Sequence, residues 1–475
     1  MHTIEADYLV VGAGAMGMAF VDTLVSETDA RVVLVDRNHQ PGGHWTMAYP
    51  FVRLHQPSAF YGVNSLRLGG DSIDRIGWNQ GLYELATAAE VCAYYDHVLR
   101  RQLLASGRVT YFPMSEYRGQ EGGEGHFTTL AGVDYTVAAA RRIVDATYMR
   151  VTVPAMRPPP YPVAPGVTCV PPNDLTKLGA HERYVIVGAG KTGIDTCLWL
   201  LGQGIVPERL TWIMPRDSWL LDRARMQPGS LFADQIKTSF IAQLRAINDA
   251  TSVEDLFARL EESGGLLRID PAVRPTMYRC ATVTRLELEQ LRRIADVVRL
   301  GHLLRVEADR MVLDDGAVAS DPDALYIDCT ADGAEKRPAT SIFDDGRITL
   351  QSVRGCQQIF SAALIAHVES AYHDDPARNE LCVPLPHPDT DLDWLRVALA
   401  DYSNQLRWLA DPELTAWMSA ARLDLFGHLI GHLLPPASAK PRVRERMLGI
   451  AKSVFSATAT KLDQLLSEQT SLAAP

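Results

Sequence analysis

Two glycine-rich turns, each set between an apolar run and a helix-like stretch, constrain this chain more than any other feature. Gly12-Ala13-Gly14-Ala15-Met16-Gly17 follows Tyr8-Leu9-Val10-Val11, and Gly188-Ala189-Gly190-Lys191-Thr192-Gly193 follows Val185-Ile186-Val187. In a chain with 34 glycines a single triplet of this kind carries little weight, but two in the same strand-to-helix context carry much more. The first glycine permits the tight turn, the second lets the backbone approach a pyrophosphate, and the third lets helix and strand pack closely. The anion then rests on free amides at a helix N-terminus. The expected fold is α/β, with two Rossmann-like dinucleotide-binding domains.

The strand ends distinguish the two turns. Residues 31–35 read as the strand after the first helix, and it ends at Asp36, about 20 residues beyond the glycines, where a carboxylate accepts hydrogen bonds from a ribose. A carboxylate there repels a 2′-phosphate, so this site, with Arg37 beside Asp36, favours FAD or NAD over NADP. The second unit's strand at 210–214 is followed by Arg216, whose guanidinium can grip a 2′-phosphate, so that site favours NADPH. The plainer alternatives are a solvated aspartate at a strand end and a surface arginine.

Lys plus Arg is 46 and Asp plus Glu is 57, a net charge of −11, which argues against a general nucleic-acid-binding surface. The start of the chain has no basic region ahead of an apolar core, and no apolar run approaches the ~20 residues of a membrane span. Cys92, Cys169, Cys197, Cys280, Cys329, Cys356 and Cys382 are scattered without a CxxC pair. That pattern predicts free thiols in a reducing, cytoplasmic setting and no structural zinc.

Beyond Asp36, the segments Gly42-Gly43-His44-Trp45 and Tyr49-Pro50-Phe51-Val52-Arg53-Leu54-His55-Gln56 resemble the class B flavoprotein monooxygenases, that is, flavin-containing monooxygenases, N-hydroxylases and Baeyer–Villiger enzymes. In the second unit, Gly188, Gly190, Gly193, Asp195, Arg216, Ser218, Trp219 and Arg223 match a GxGxSGxD helix start and an SRxxSWxxxR segment of the flavin-containing monooxygenases. The resemblance assigns the first site to FAD, with Gly43, His44 and Trp45 along the cofactor, Val109 in the strand by the adenine and Asp332 near the flavin. It assigns the second to NADPH, held by the glycines, Lys191, Thr192, Arg216, Ser218, Trp219 and Arg223. It further implies that NADPH reduces the flavin, that the reduced flavin and O2 form a C4a-(hydro)peroxide, and that a small or medium-sized organic molecule is oxygenated, more readily at N or S than by ester insertion. Gln56 and Arg53 are the residues this places beside the reacting flavin, though both are equally consistent with shaping the FAD pocket alone. The family's FxGxxxH signature is missing from the proline-rich stretch 154–172, where eight residues are proline. An NAD(P)H-dependent reductase without oxygen insertion and a catalytically silent nucleotide-binding protein therefore stay open as alternatives.

The resulting plan is an FAD domain at 1–165, an NADPH domain at 166–320 with a helical insert at 230–297, a return to the FAD domain at 321–383, and a helical region at 384–475. A helix is expected over 82–104 and a hairpin tip at 119–125. His428 and His432 lie one helical turn apart, without a third ligand at metal-site spacing, and read as packing residues. Gly427 and Gly431 permit close helix contact within the chain or in a homo-oligomer.

Overall fold

The computed structural model describes residues 2–331, 333–425, 427 and 441–472. Asp332, His428, Gly431 and His432 lie outside the described residues.

Both expected Rossmann-like units are present. In the first, the strand His2–Val11 lies between Val32–Val35 and Asp134–Asp145, and the parallel set continues to Val109–Phe112 on one side and Arg347–Thr349 on the other. Alternating βα connections produce this order because a parallel strand can be reached only by a crossover, here the helix Ala15–Glu27. That helix and Gln358–Ala371 are apolar nearly all round, and both are buried against the sheet and each other. The second unit is inserted between the strands of the first. Its five parallel strands run in the order Val297–Val298, Leu210–Ile213, Tyr184–Val187, Leu325–Asp328 and Cys169–Val170.

Three local expectations change. The helix expected over 82–104 starts later, at Ala88, because the Thr87 hydroxyl accepts from the Glu90 amide while Glu90 bonds back to Thr87, a capping box that sets the first turn; after Val98 it runs on through a π turn at Leu99–Leu103 and a 3-10 turn at Leu104–Ser106. The insert is helical at Ala233–Asp249 and Val253–Glu262, but it then forms strands Leu266–Leu267 and Met277–Val283 on either side of Ser218–Asp222. Cys280 and Cys356 form a disulfide, so free thiols are found only at Cys92, Cys169, Cys197, Cys329 and Cys382. The hairpin tip does fall at Gly122 and Gly123, between strands Ser115–Glu121 and Glu124–Thr129. Helices Asp391–Trp408 and Pro441–Leu472 pack with the insert helices around Trp394, Leu395, Phe240 and Phe455. Gly427 packs within the chain, where a Cβ would sit 2.7 Å from the Met418 carbonyl oxygen. Among the described residues no helix is long and apolar enough to cross a membrane.

Candidate functional site

The two glycine turns have nearly the same geometry. Gly12 has φ +105° and Gly188 φ +115°, a left-handed conformation that L side chains resist. A Cβ on Gly17 would lie 1.9 Å from the Gly12 carbonyl oxygen, and one on Gly193 would lie 2.0 Å from that of Gly188, so the third glycine lets each helix sit directly on its turn. Helices Ala15–Glu27 and Lys191–Gly202 follow Gly14 and Gly190 with no side-chain cap and no acidic residue in the first turn. Their leading amides therefore face outward as anion sites.

Around the first turn, the Gly42 amide donates to the Ala13 carbonyl (2.9 Å), and Gly43 approaches Gly14 so closely that a Cβ would meet the Gly14 Cα at 3.0 Å. The Asp36 carboxylate accepts from the Ala13 amide (2.5 Å) and the Asn38 amide (2.6 Å), while burial pushes its carboxyl above the usual range. Asp36 thus braces the turn as well as marking the strand end.

Gly12, Gly14, Asp36, Arg37, Gly43, His44, Trp45 and Gln56 all line one cavity of about 1280 Å³. The Trp45 indole donates to the Tyr61 hydroxyl (2.5 Å), which fixes the ring on the wall. Burial lowers the His44 imidazole to about 4, so it is neutral near pH 7. The far wall is the apolar face between the insert and the C-terminal helices, formed by Ile236, Phe240, Tyr278, Trp394, Val397 and Tyr402.

Several expected site residues are elsewhere. Arg53 does not line the cavity; its side chain is 54% exposed and pairs with Asp74 at 3.7 Å. Val109 is buried in the sheet opposite Val32, and the nearby residues that reach the cavity are Met114, Ser115, Glu116, Tyr117 and Arg118. Beside Gln56, Leu54 and His55 line the cavity, and the sequence assigned neither of them a role. Burial, together with the Lys191 and Arg223 charges, holds the His55 imidazole well below the usual range.

The second turn meets the same segment from the other side. The Tyr49 hydroxyl donates to Asp195 (2.8 Å), which also pairs with Lys191, and Phe51 stacks on Trp199 with ring centroids 4.7 Å apart. Burial raises the Asp195 carboxyl. The Thr192 carbonyl accepts from Thr196 (2.8 Å). Nothing would meet a Cβ on Gly190 within 4 Å, so the approach to this turn is open.

The strand-end residues of the second unit differ most from expectation. Arg216 donates to Asp389 (2.9 Å), which also binds Arg279 (2.7 Å) and Lys336 (3.2 Å). Burial disfavours the Asp389 charge, yet hydrogen bonds from Arg216 and Arg279 hold its carboxyl well below the usual range. Ser218 and Trp219 are buried in the three-stranded sheet, with the Trp219 indole donating to Asp391 (2.9 Å). Arg223 is fully enclosed and donates to the His55 carbonyl (2.8 Å), Asn79 (3.1 Å), the Thr282 carbonyl (3.3 Å) and Glu287 (3.0 Å). Here the SWxxxR portion of the motif serves packing, because its strand is covered on both faces. Among the described residues no group of three or more side chains is arranged to hold a metal ion.

This geometry defines a protein with two Rossmann-like units, of which the first opens its glycine turn onto the cavity while Gly188, Gly190 and Gly193 of the second do not line it, and residues 10–66 match the model of the NAD(P)-binding Rossmann-like domain. The chain is 63% identical over 468 residues to "Uncharacterized protein Rv2000" of Mycobacterium tuberculosis and equally to "Uncharacterized protein Mb2023" of Mycobacterium bovis, covering 98% of this chain and 86% of each relative. It belongs to one family with these mycobacterial proteins. Similar solved structures include oxidized steroid monooxygenase bound to NADP (15% identity, TM-score 0.48) and cyclohexanone monooxygenase from Rhodococcus sp. Phi1 bound to NADP+ (15%, 0.47), each match covering 96% of this chain and 99% of that one.

Proposed function

We propose that this chain is an FAD-dependent, NADPH-consuming monooxygenase that oxygenates a small or medium-sized organic molecule, at nitrogen or sulfur in preference to ester insertion. The observation that carries the proposal is the cavity of the first unit: the first glycine turn, Asp36 and the Gly43-His44-Trp45 segment open onto it, and Ile236, Phe240, Trp394 and Val397 give it an apolar stretch of far wall. The GGHW and YPFVRL resemblance supports FAD as its occupant. The close glycine contacts and the uncapped helix N-terminus fit a pyrophosphate, and Asp36 fits a ribose.

When bound, FAD supplies acceptance of a hydride from NADPH and, once reduced, activation of O2. The chain's own residues do the rest. Gly188, Gly190 and Gly193 hold the second dinucleotide, and Tyr49 and Phe51 fix that unit against the segment carrying Gln56. Arg216 would hold a 2′-phosphate by releasing Asp389, its present partner. The apolar stretch of wall takes the substrate, and burial favours the neutral imidazoles of His44 and His55 beside the flavin site. Overall, substrate, O2, NADPH and a proton give oxygenated substrate, water and NADP+.

The test is the visible spectrum of FAD-loaded protein on anaerobic mixing with NADPH. Loss of the oxidised flavin bands is expected, and a spectrum that does not change overturns the proposal. In air, NADPH consumption should match O2 consumption and product. Bleaching without product formation would instead identify a reductase.

A further inference from the structure

The parallel pairing of Ser218–Asp222 with Met277–Val283 is interrupted. Ser218 pairs with Met277 and Trp219 with Tyr278, but Leu221 pairs with Thr282 and Asp222 with Val283. Leu220 therefore faces Arg279, Cys280 and Ala281, a bulge that re-aims side chains. Cys280 adopts φ +55°, a left-handed conformation uncommon for any residue but glycine and one that stores strain. From this bulge Arg279 reaches Asp389 and Cys280 reaches Cys356.

Cys356 belongs to the first unit, between Gly355 and the helix Gln358–Ala371. The bond therefore ties the two nucleotide units together across 76 residues of sequence, and both cysteines line the cavity. Cys356 is exposed and Cys280 partly so, whereas Cys197, Cys329 and Cys382 are buried. Accessible disulfides are the ones that undergo exchange, since the attacking thiolate must reach a sulfur.

We infer that Cys280–Cys356 is a thiol-exchange site for a small thiol entering the cavity, and that its reduction unlatches the bulge from the first unit. The incoming thiolate attacks the exposed Cys356 Sγ, the S–S bond breaks, and Cys280 leaves with the electron pair and takes up a proton. A second thiol attacks the mixed disulfide, freeing Cys356 as a thiol and departing as the oxidised small-molecule disulfide. Two thiols thus supply the two electrons that reduce one protein disulfide.

The full chain, purified without reductant, should be mapped by N-ethylmaleimide labelling and peptide mass spectrometry, with and without dithiothreitol and in the absence of denaturant. Cys280 and Cys356 should be unlabelled at first and label after dithiothreitol, while Cys197, Cys329 and Cys382 stay unlabelled. Immediate labelling of the untreated pair, or resistance until the chain is unfolded, overturns the inference. With 2-mercaptoethanol the mixed adduct should form on Cys356, and an adduct on Cys280 contradicts the order of attack. Hydrogen exchange over residues 277–283 should rise about tenfold both in the reduced wild type and in Cys356→Ser, as local opening becomes easier. Unchanged exchange in the reduced wild type removes the latch.

Discussion

At the scale of single residues, the two turns show how the same residue type does different work at different positions. Gly193 has no room for a side chain, because a Cβ would press to 2.0 Å from a Gly188 oxygen that already accepts from the Trp212 indole at 2.9 Å. Gly193→Ala should destabilise the chain by about 1–3 kcal/mol through overpacking. Gly190→Ala, with open space around it and φ −77°, should stay within about 0.5 kcal/mol of the parent. It should still weaken NADPH binding, because the methyl group stands where the backbone must approach the phosphates. Thermal melts alongside an NADPH titration separate the two effects, and equal melting temperatures would contradict the steric account. Asp36 and the glycines were legible in the sequence because their roles depend on local backbone geometry. The partners of Arg216 and Arg223 were not, because Asp389, His55, Asn79 and Glu287 reach them from distant parts of the chain.

At the scale of elements, hydrophobic period located most helices but not their ends or the insert's strands. The helix Asp391–Trp408 begins where Thr390 and Asp393 form a capping box directly after Asp389, so this cap also anchors the segment that holds Arg216, Arg279 and Lys336. Thr390→Ala should cost about 1 kcal/mol in denaturant unfolding, the usual loss for a missing N-cap hydroxyl. A change indistinguishable from zero would show that Asp393 alone holds the first turn. The insert read as helical throughout because Phe232, Ile236, Phe240, Leu244 and Ile247 recur at spacings of three or four and Leu256, Leu260, Leu286 and Leu291 continue the pattern. Residues 277–283 become a strand only because Ser218–Asp222 offers an edge to pair with, and no local pattern announces a partner that far away.

At the scale of the whole molecule, one arginine joins what the glycine turns keep separate. Arg223, from the second unit, donates to a carbonyl of the segment beside the first unit's cavity and pairs with Glu287 in a nearly dry setting. Arg223→Met should destabilise the chain by about 3–5 kcal/mol, since removing one partner leaves a buried charge uncompensated. Arg223→Lys should not restore stability, because one ammonium cannot supply the planar set of donors. Equilibrium unfolding of both variants tests this, and a lysine variant as stable as the parent would show that charge alone suffices.

The sequence by itself determined the two Rossmann-like units, the sites of their tight turns and the acidic end of the first strand, because glycine conformation and strand-to-helix order act over a few neighbouring residues. Only the tertiary structure decided that Arg216 pairs with Asp389, that Ser218, Trp219 and Arg223 are packing residues, that Arg53 faces solvent, and that Cys280 meets Cys356. Each of these depends on segments tens to hundreds of residues apart, which become neighbours only in the folded chain.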